Sequence, residues 1–282
     1  MWIKRSQITE LSKQVKKLIA NEDIDIRDNR EGALKILKND IQTLAMYRKE
    51  QLDILHRERD ILKNTLADIS HQLKTPITSM MIMSELLEDA PEDKQAEFIS
   101  NIKSSLQTTE WLVSSLLKMA KLDSKTASFK IEPVKSDGLI EQAILPLKIQ
   151  LELKNQTVEI SGSETFNCDK RWTAEALGNI IKNASEHAPA GSTISIEVGQ
   201  NPICKWIGVT NEGEGLSRDQ IAKLFKRFES SKFSNGHGIG LPLALSIMKS
   251  QLGDIDVDGG QKGVGPTFTL KFYTQTLATK SD

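Results

Sequence analysis

The chain has 282 residues with 37 Lys and Arg against 38 Asp and Glu, a net charge of −1, which removes any whole-chain electrostatic case for nucleic acid or an anionic membrane. Its 38% hydrophobic content excludes a disordered chain. Cys168 and Cys204, far apart and without partner His or Cys, exclude a disulfide framework and a thiolate zinc site.

Residues 8–20 read as a short amphipathic helix, and NEDIDIRDN after it as an extended connector. From 37 to 73 a seam recurs every three or four residues: Leu37, Ile41, Leu44, Arg48, Leu52, Leu55, Arg59, Leu62, Leu66, Ile69, Leu73. This is coiled-coil spacing. The steps Leu44–Arg48–Leu52 insert a stutter, and Arg48 and Arg59 weaken the seam. EDAPEDK is a turn, with Pro91 suited to open the next helix. A second seam follows: Ile99, Ile102, Leu106, Thr109, Val113, Leu116, Ala120. Two long helices joined by a short turn make an antiparallel hairpin, and dimerisation into a four-helix bundle is the simplest way to cover such long stripes.

After SKTAS, a short linker, the texture changes. The β-like runs FKIEPV, TVEI, TISIEV, CKWIGV, GDIDV and PTFTLKF alternate with helical patterns at 137–153, 169–187 and 238–252. The expected fold class is therefore α then α+β: a dimeric hairpin followed by a mixed α/β sandwich. The expected divisions are a helical linker over 1–58, the hairpin over 59–123 and the sandwich domain over 129–274. No apolar run approaches the roughly 20 residues of a membrane span. The start lacks a signal-peptide core, so the chain is expected to be cytoplasmic and to meet a membrane only through segments outside it.

Five short stretches carry chemistry. In SHQLKTP, placing Leu73 and Pro76 on the buried side puts His71 on the outward face, with Thr75 one turn on. Pro76 should bend the helix just past the histidine. By itself an exposed helix histidine is usually just a solvated side chain. In NIIKNASEHA, Asn179 and Asn183 lie one turn apart, and a neutral amide oxygen suits Mg²⁺ already bound to phosphates. NEGEGL allows a tight turn and close backbone approach at Gly213 and Gly215. LFKRF precedes the polar stretch ESSKFSN. GHGIGL puts glycines at a helix start, where N–H groups face phosphate. Each stretch alone has an ordinary structural explanation.

In this order, SHQLKTP, NIIKNASEHA, NEGEGL, LFKRF and GHGIGL resemble the H, N, G1, F and G2 boxes of sensor histidine kinases, over about residues 62–273. The resemblance implies a kinase using ATP and Mg²⁺, a homodimer, and a response regulator as partner, with no nucleic acid. It implies that His71 is the phosphoacceptor, Asn183 the Mg²⁺ ligand and Asn179 its companion. Asn211 takes the adenine-reading position, and Gly213, Gly215, Gly236, Gly238 and Gly240 the ATP-cradling positions. Phe225 and Phe228 match the F box that anchors the lid. Arg227 and Lys232 are candidates to meet the polyphosphate, and Thr75 matches a residue that helps dephosphorylate the regulator. Residues 26–45 resemble, loosely, the relay linkers that precede such kinases.

Three positions depart from the family pattern. Gln72 replaces an acidic residue beside the phosphoacceptor. It can fix the imidazole tautomer but cannot stabilise the developing positive charge, which predicts slower autophosphorylation. The same amide can instead position water for a phosphatase, as a Gln does in GTPases. Asn211 replaces Asp, losing the charge-assisted part of an adenine contact; such bonds are roughly twice as strong as neutral ones. Glu186 stands where a basic residue is common. A kinase, a regulator phosphatase that uses nucleotide as a conformational ligand, and a non-catalytic dimeric scaffold all remain open at this point. Phosphoryl chemistry at His71 separates them.

Overall fold

A computed structural model describes residues 5–20, 22, 25, 33–88, 90–228, 238–261 and 263–273. The chain divides into two units, Met1–Ala67 and Asp68–Asp282.

The first unit holds helix α1 (Arg5–Ile19) and the beginning of α2 (Ala33–Glu88). α2 has no break at residue 58, so the expected boundary there falls inside a helix. Along the seam Leu44, Leu55 and Leu62 are exposed. Most of the expected connector lies outside the described residues.

The second unit opens with the end of α2, the turn at Ala90–Pro91 and α3 (Glu92–Asp123). Pro91 serves as the N-cap, with extended backbone (φ −57°, ψ 147°) and Glu92 and Asp93 in the first turn, a favourable match to the positive end of the helix dipole. α2 runs on through Pro76, which is buried; the proline does not end the helix. α3 buries Leu112, Ser115, Met119 and Leu122, a stripe offset from the expected seam. Leu112, Met119 and Leu122 share one core with the following domain, and α3 packs against that domain's helix α8 (Gly240–Ser250).

That domain begins with β1 (Glu132–Lys135), then α4 (Ser136–Ile144) and α5 (Lys148–Leu153). The single helix expected over 137–153 is two, joined by a 3₁₀ turn, Leu145–Leu147. Pro146 sits in that turn and has no N–H to continue the ladder. β2 (Thr157–Ser161) and β3 (Thr165–Cys168) follow. α6 (Lys170–His187) is capped by Asp169, whose carboxylate accepts from the N–H groups of Arg171 and Trp172. β4 (Thr193–Gln200), β5 (Cys204–Asn211), a short α7 (Arg218–Ile221), α8 (Gly240–Ser250), β6 (Gly253–Asp258) and β7 (Thr267–Tyr273) complete the order.

Five strands form one sheet in the order β2-β4-β5-β7-β6, antiparallel except for the β2–β4 pair, while β1 and β3 form a separate antiparallel ribbon. One face of the sheet is covered by helices: Ile180, Ile181, Ile194, Ile207, Leu243, Ile247, Phe268 and Leu270 are fully buried in a common core. Both cysteines are buried and free. The sandwich places α6 against α8 and against β5, the three elements that carry the chemistry.

Candidate nucleotide and phosphoacceptor sites

His71 is exposed on α2. One turn on, the Thr75 hydroxyl is also exposed and donates to the His71 carbonyl at 3.3 Å, which keeps its lone pairs on the histidine's face. Gln72 beside them is half-buried. The imidazole is thus open to a large reactant while the backbone beneath it is held by helix on both sides.

The nucleotide side is built on α6. Asn179 is buried, and its Nδ2 donates back to the Glu175 carbonyl at 3.0 Å. Its Oδ1 lies 3.1 Å from where a side chain on Gly240 would start, so the start of α8 sits close against this amide. Asn179 therefore positions the start of α8 rather than reaching outward. Asn183, one turn on, is half-buried, and its amide makes no hydrogen bond to another described residue. Among the described residues no three acidic, His or Cys side chains cluster as a metal site. A neutral amide oxygen such as that of Asn183 fits a hard cation that already carries phosphate oxygens. Glu186 is half-buried and faces Lys182, Nζ 3.9 Å away, so its charge is partly neutralised within the helix.

The far end of α6 is fixed by a buried amide. Gln156 donates from Nε2 to the carbonyls of Ser185, Ala188 and Pro189 at 3.1, 3.3 and 3.1 Å, and its Oε1 accepts from the Ser185 hydroxyl at 2.6 Å. Lys154 adds a bond from Nζ to the Ser185 carbonyl at 2.6 Å. These donors satisfy carbonyls that the last helical turn leaves open.

Asn211 ends β5 at 3% exposure, its Nδ2 donating to the Glu212 carbonyl at 3.0 Å. The loop after it is stitched to residues 259–265 by three backbone bonds: Gly265 N to Asn211 O at 2.8 Å, Gly263 N to Gly213 O at 3.0 Å, and Leu216 N to Gly259 O at 2.7 Å. A side chain on Gly215 would start 2.8 Å from the Gly259 carbonyl oxygen. The close approach expected of Gly215 is thus first an approach to another stretch of backbone. Sequence reasoning missed Gly259, Gly260 and Gly265, although DGGQKGVGP carries four glycines in nine residues.

Ser217 and Gln220 form a capping box that starts α7, and Leu224, Phe225 and Phe228 then pack on the core. Phe228 has φ +62°, strained for an aromatic residue. Its N–H bonds the carbonyl of Gly238 at 2.9 Å, so residues 228 and 238 meet at a neck. Gly236 and Lys232 lie between them, outside the described residues. Arg227 does not stand free. Its Nη2 donates to Asp123 Oδ1, at the end of α3, at 2.8 Å.

Two further contacts join α3 to α6: Lys118 Nζ to Glu175 Oε1 at 2.8 Å, and Lys182 Nζ 4.5 Å from the Trp111 ring centroid. Residues 111 and 118 meet 182 and 175, seven apart in opposite order, so the two helices run antiparallel here.

The chain thus carries an exposed histidine on α2 and a sandwich domain in which, among the described residues, the Asn183 amide has no hydrogen-bond partner beside glycine-rich turns. Residues 61–125 match the His Kinase A (phospho-acceptor) domain, and residues 168–276 the histidine kinase-, DNA gyrase B- and HSP90-like ATPase. The chain carries the phospho-acceptor and ATPase domains of histidine kinases, and the relatives it resembles are sensor kinases. It is 26% identical over 249 residues to the heme sensor protein HssS of Staphylococcus saprophyticus, covering 86% of this chain and 54% of that protein. It is 29% identical over 220 residues to the sensor histidine kinase WalK of Bacillus subtilis, covering 73% and 36%. It therefore spans about half, or less, of the length of these relatives. The fold is similar to that of the Acinetobacter baumannii histidine kinase AdeS (TM-score 0.61, 20% identity, 73% of this chain and 98% of that one). It is also similar to the histidine kinase ThkA, whose structure was solved in complex with a response regulator protein (TM-score 0.63, 18% identity, 80% and 66%). Among the described residues no helix is long and apolar enough to cross a membrane.

Proposed function

We propose that the chain binds ATP with Mg²⁺ in its sandwich domain, phosphorylates His71 and passes the phosphoryl group to an aspartate of a response regulator. The observation that carries this reading is the pairing, within one unit, of an exposed His71 with an ATPase fold whose Asn183 amide has no described protein partner. A histidine imidazole keeps a nucleophilic lone pair at neutral pH. The ring nitrogen attacks the γ-phosphorus, the bond to the β-bridging oxygen breaks, and ADP leaves with that oxygen. The regulator's carboxylate then displaces the imidazole from phosphorus.

The protein's part is positioning. Asn183 holds the cation–phosphate cluster, Asn211 reads the adenine, and Asn179 keeps the start of α8 against α6. Gly213, Gly238 and Gly240 let backbone approach the nucleotide, and Gly215 lets its loop close on residues 259–260. Phe225 and Phe228 anchor the segment that carries Arg227 toward the polyphosphate. Bound Mg²⁺ supplies charge neutralisation of the phosphates. Gln72 fixes the imidazole tautomer, and Thr75 places its hydroxyl for the reverse task, dephosphorylating the regulator. The active species is a homodimer joined through α2 and α3, with residues 59–123 as phosphotransfer hairpin, 129–274 as ATPase domain and 1–58 as a relay toward a sensor at the membrane.

Incubation with Mg²⁺ and γ-labelled ATP, beside a His71→Ala control, tests the reading. Acid-labile, alkali-stable label in the wild type and none in the control is expected. A folded, nucleotide-binding wild type that takes no label would refute it.

A further inference from the structure

The guanidinium assigned above to the polyphosphate is already engaged. Arg227 donates to Asp123 at 2.8 Å, and Asp123 closes α3. A carboxylate at the negative end of a helix dipole is unfavourable for that helix. It has no intrahelical reason to be there, and its partner lies 104 residues away on the ATPase domain. Arg227 is flanked by Phe225 and Phe228, both packed on the core, and it adjoins the neck where Phe228 bonds Gly238. Its backbone is therefore tied to the nucleotide side while its head is tied to the hairpin. Both side chains are partly exposed, so the pair is weak enough to exchange.

We propose that the Arg227–Asp123 pair is a nucleotide-sensitive latch. Docked, Asp123 withholds the guanidinium from the nucleotide and pins the ATPase domain to the end of α3. Polyphosphate competes for the same fork of donors, so arrival of nucleotide releases Asp123 at the point where the 124–128 linker begins, while the core contacts of Leu112, Met119 and Leu122 stay in place. The coupling is reciprocal: if nucleotide weakens the pair, the pair weakens nucleotide binding by the same factor. The Lys118–Glu175 and Lys182–Trp111 contacts do not involve this guanidinium and remain as tethers. The inference rests on the reading of Arg227 as a polyphosphate ligand.

Calorimetric titration of the full chain with AMPPNP and Mg²⁺, and separately with adenosine, tests it. Asp123→Ala is expected to bind AMPPNP about two- to five-fold tighter than wild type, the range an exposed ion pair can supply, with adenosine unchanged. The gain should shrink in about 0.5 M salt and vanish in an Arg227→Ala background. Asp123→Asn, which keeps the shape and loses the charge, should behave like Asp123→Ala. The latch is overturned by unchanged or weaker AMPPNP binding in Asp123→Ala, or by a gain that persists without Arg227 or appears equally with adenosine. Arg227→Ala binding AMPPNP as tightly as wild type removes both the latch and the assignment of Arg227 to polyphosphate. Weaker binding by Arg227→Ala, with no change in Asp123→Ala, removes the latch alone.

Discussion

Gln72 and Asn211 each put an amide where a carboxylate would add a full charge, and the two cases differ in what surrounds them. Gln72 is half-buried beside an exposed imidazole. Gln72→Glu adds a base and a counter-charge, and should raise the autophosphorylation rate on the order of a hundred-fold, the low end of what a positioned acid–base group supplies. Initial rates of label incorporation measure it, and equal rates would show that the tautomer is all the position supplies. Asn211 is buried, with Nδ2 donating to the Glu212 carbonyl. Asn211→Asp should tighten ATP through a charge-assisted bond but sets a carboxylate oxygen against that carbonyl. A stability loss of about 1–3 kcal/mol is expected, read from urea unfolding without nucleotide, beside tighter ATP by titration. If ATP binds no tighter, the adenine-reading role of the position fails. Both departures were legible in the sequence, because a motif fixes which residue type stands at which offset. The environment of Asn211 was not, since Gly265 comes to it only through the pairing of two loops.

At the scale of elements, α6 shows how one buried side chain can set a helix. Three carbonyls at its C-terminal end converge on the Nε2 of Gln156. Gln156→Ala takes its donor from the Ala188 carbonyl and leaves those of Ser185 and Pro189 to Lys154 and Ser192, and should cost about 1–3 kcal/mol and weaken nucleotide binding through displaced Asn183. Denaturant unfolding and nucleotide titration together check this; a variant unchanged in both would mean that Lys154 and Ser192 hold the end. The sheet strands and α6 were legible because alternation and helical period are strong over five or more residues. β3, four residues long with only Phe166 and Cys168 buried, offers too short a pattern. The break between α4 and α5 turns on Pro146 alone. α3 presents a subtler case. The expected seam runs through Val113, Leu116 and Ala120, whereas the buried stripe is Leu112, Ser115, Met119 and Leu122. Apolar residues surround most of this helix, and period alone cannot say which stripe meets which neighbour.

At the scale of the molecule, those two stripes divide the work of α3. One is covered by the chain itself. Leu112 is 0% exposed within the core shared with the ATPase domain, and Leu112→Ala is expected to cost about 2–5 kcal/mol. On the hairpin, Ile77, Met81, Leu86, Ile99, Leu106 and Val113 are exposed in the single chain. Soluble proteins rarely leave an apolar surface of that length uncovered, and α2 and α3 both contribute to it. In the proposed homodimer a second copy would cover it by a two-fold interface of like with like, closing a four-helix bundle. Sedimentation velocity should therefore give a species near twice 31.4 kDa at micromolar concentration. Leu106→Asp with Val113→Asp, which buries carboxylates in that seam, should yield monomers. Because neither residue belongs to the core shared with the ATPase domain, the monomers should still bind nucleotide with wild-type affinity. A wild type that sediments as a monomer would remove the bundle. Loss of nucleotide binding in the double variant would instead mean that the bundle stripe and the docking stripe are one surface, and that α3 cannot hold its ATPase domain and its partner independently.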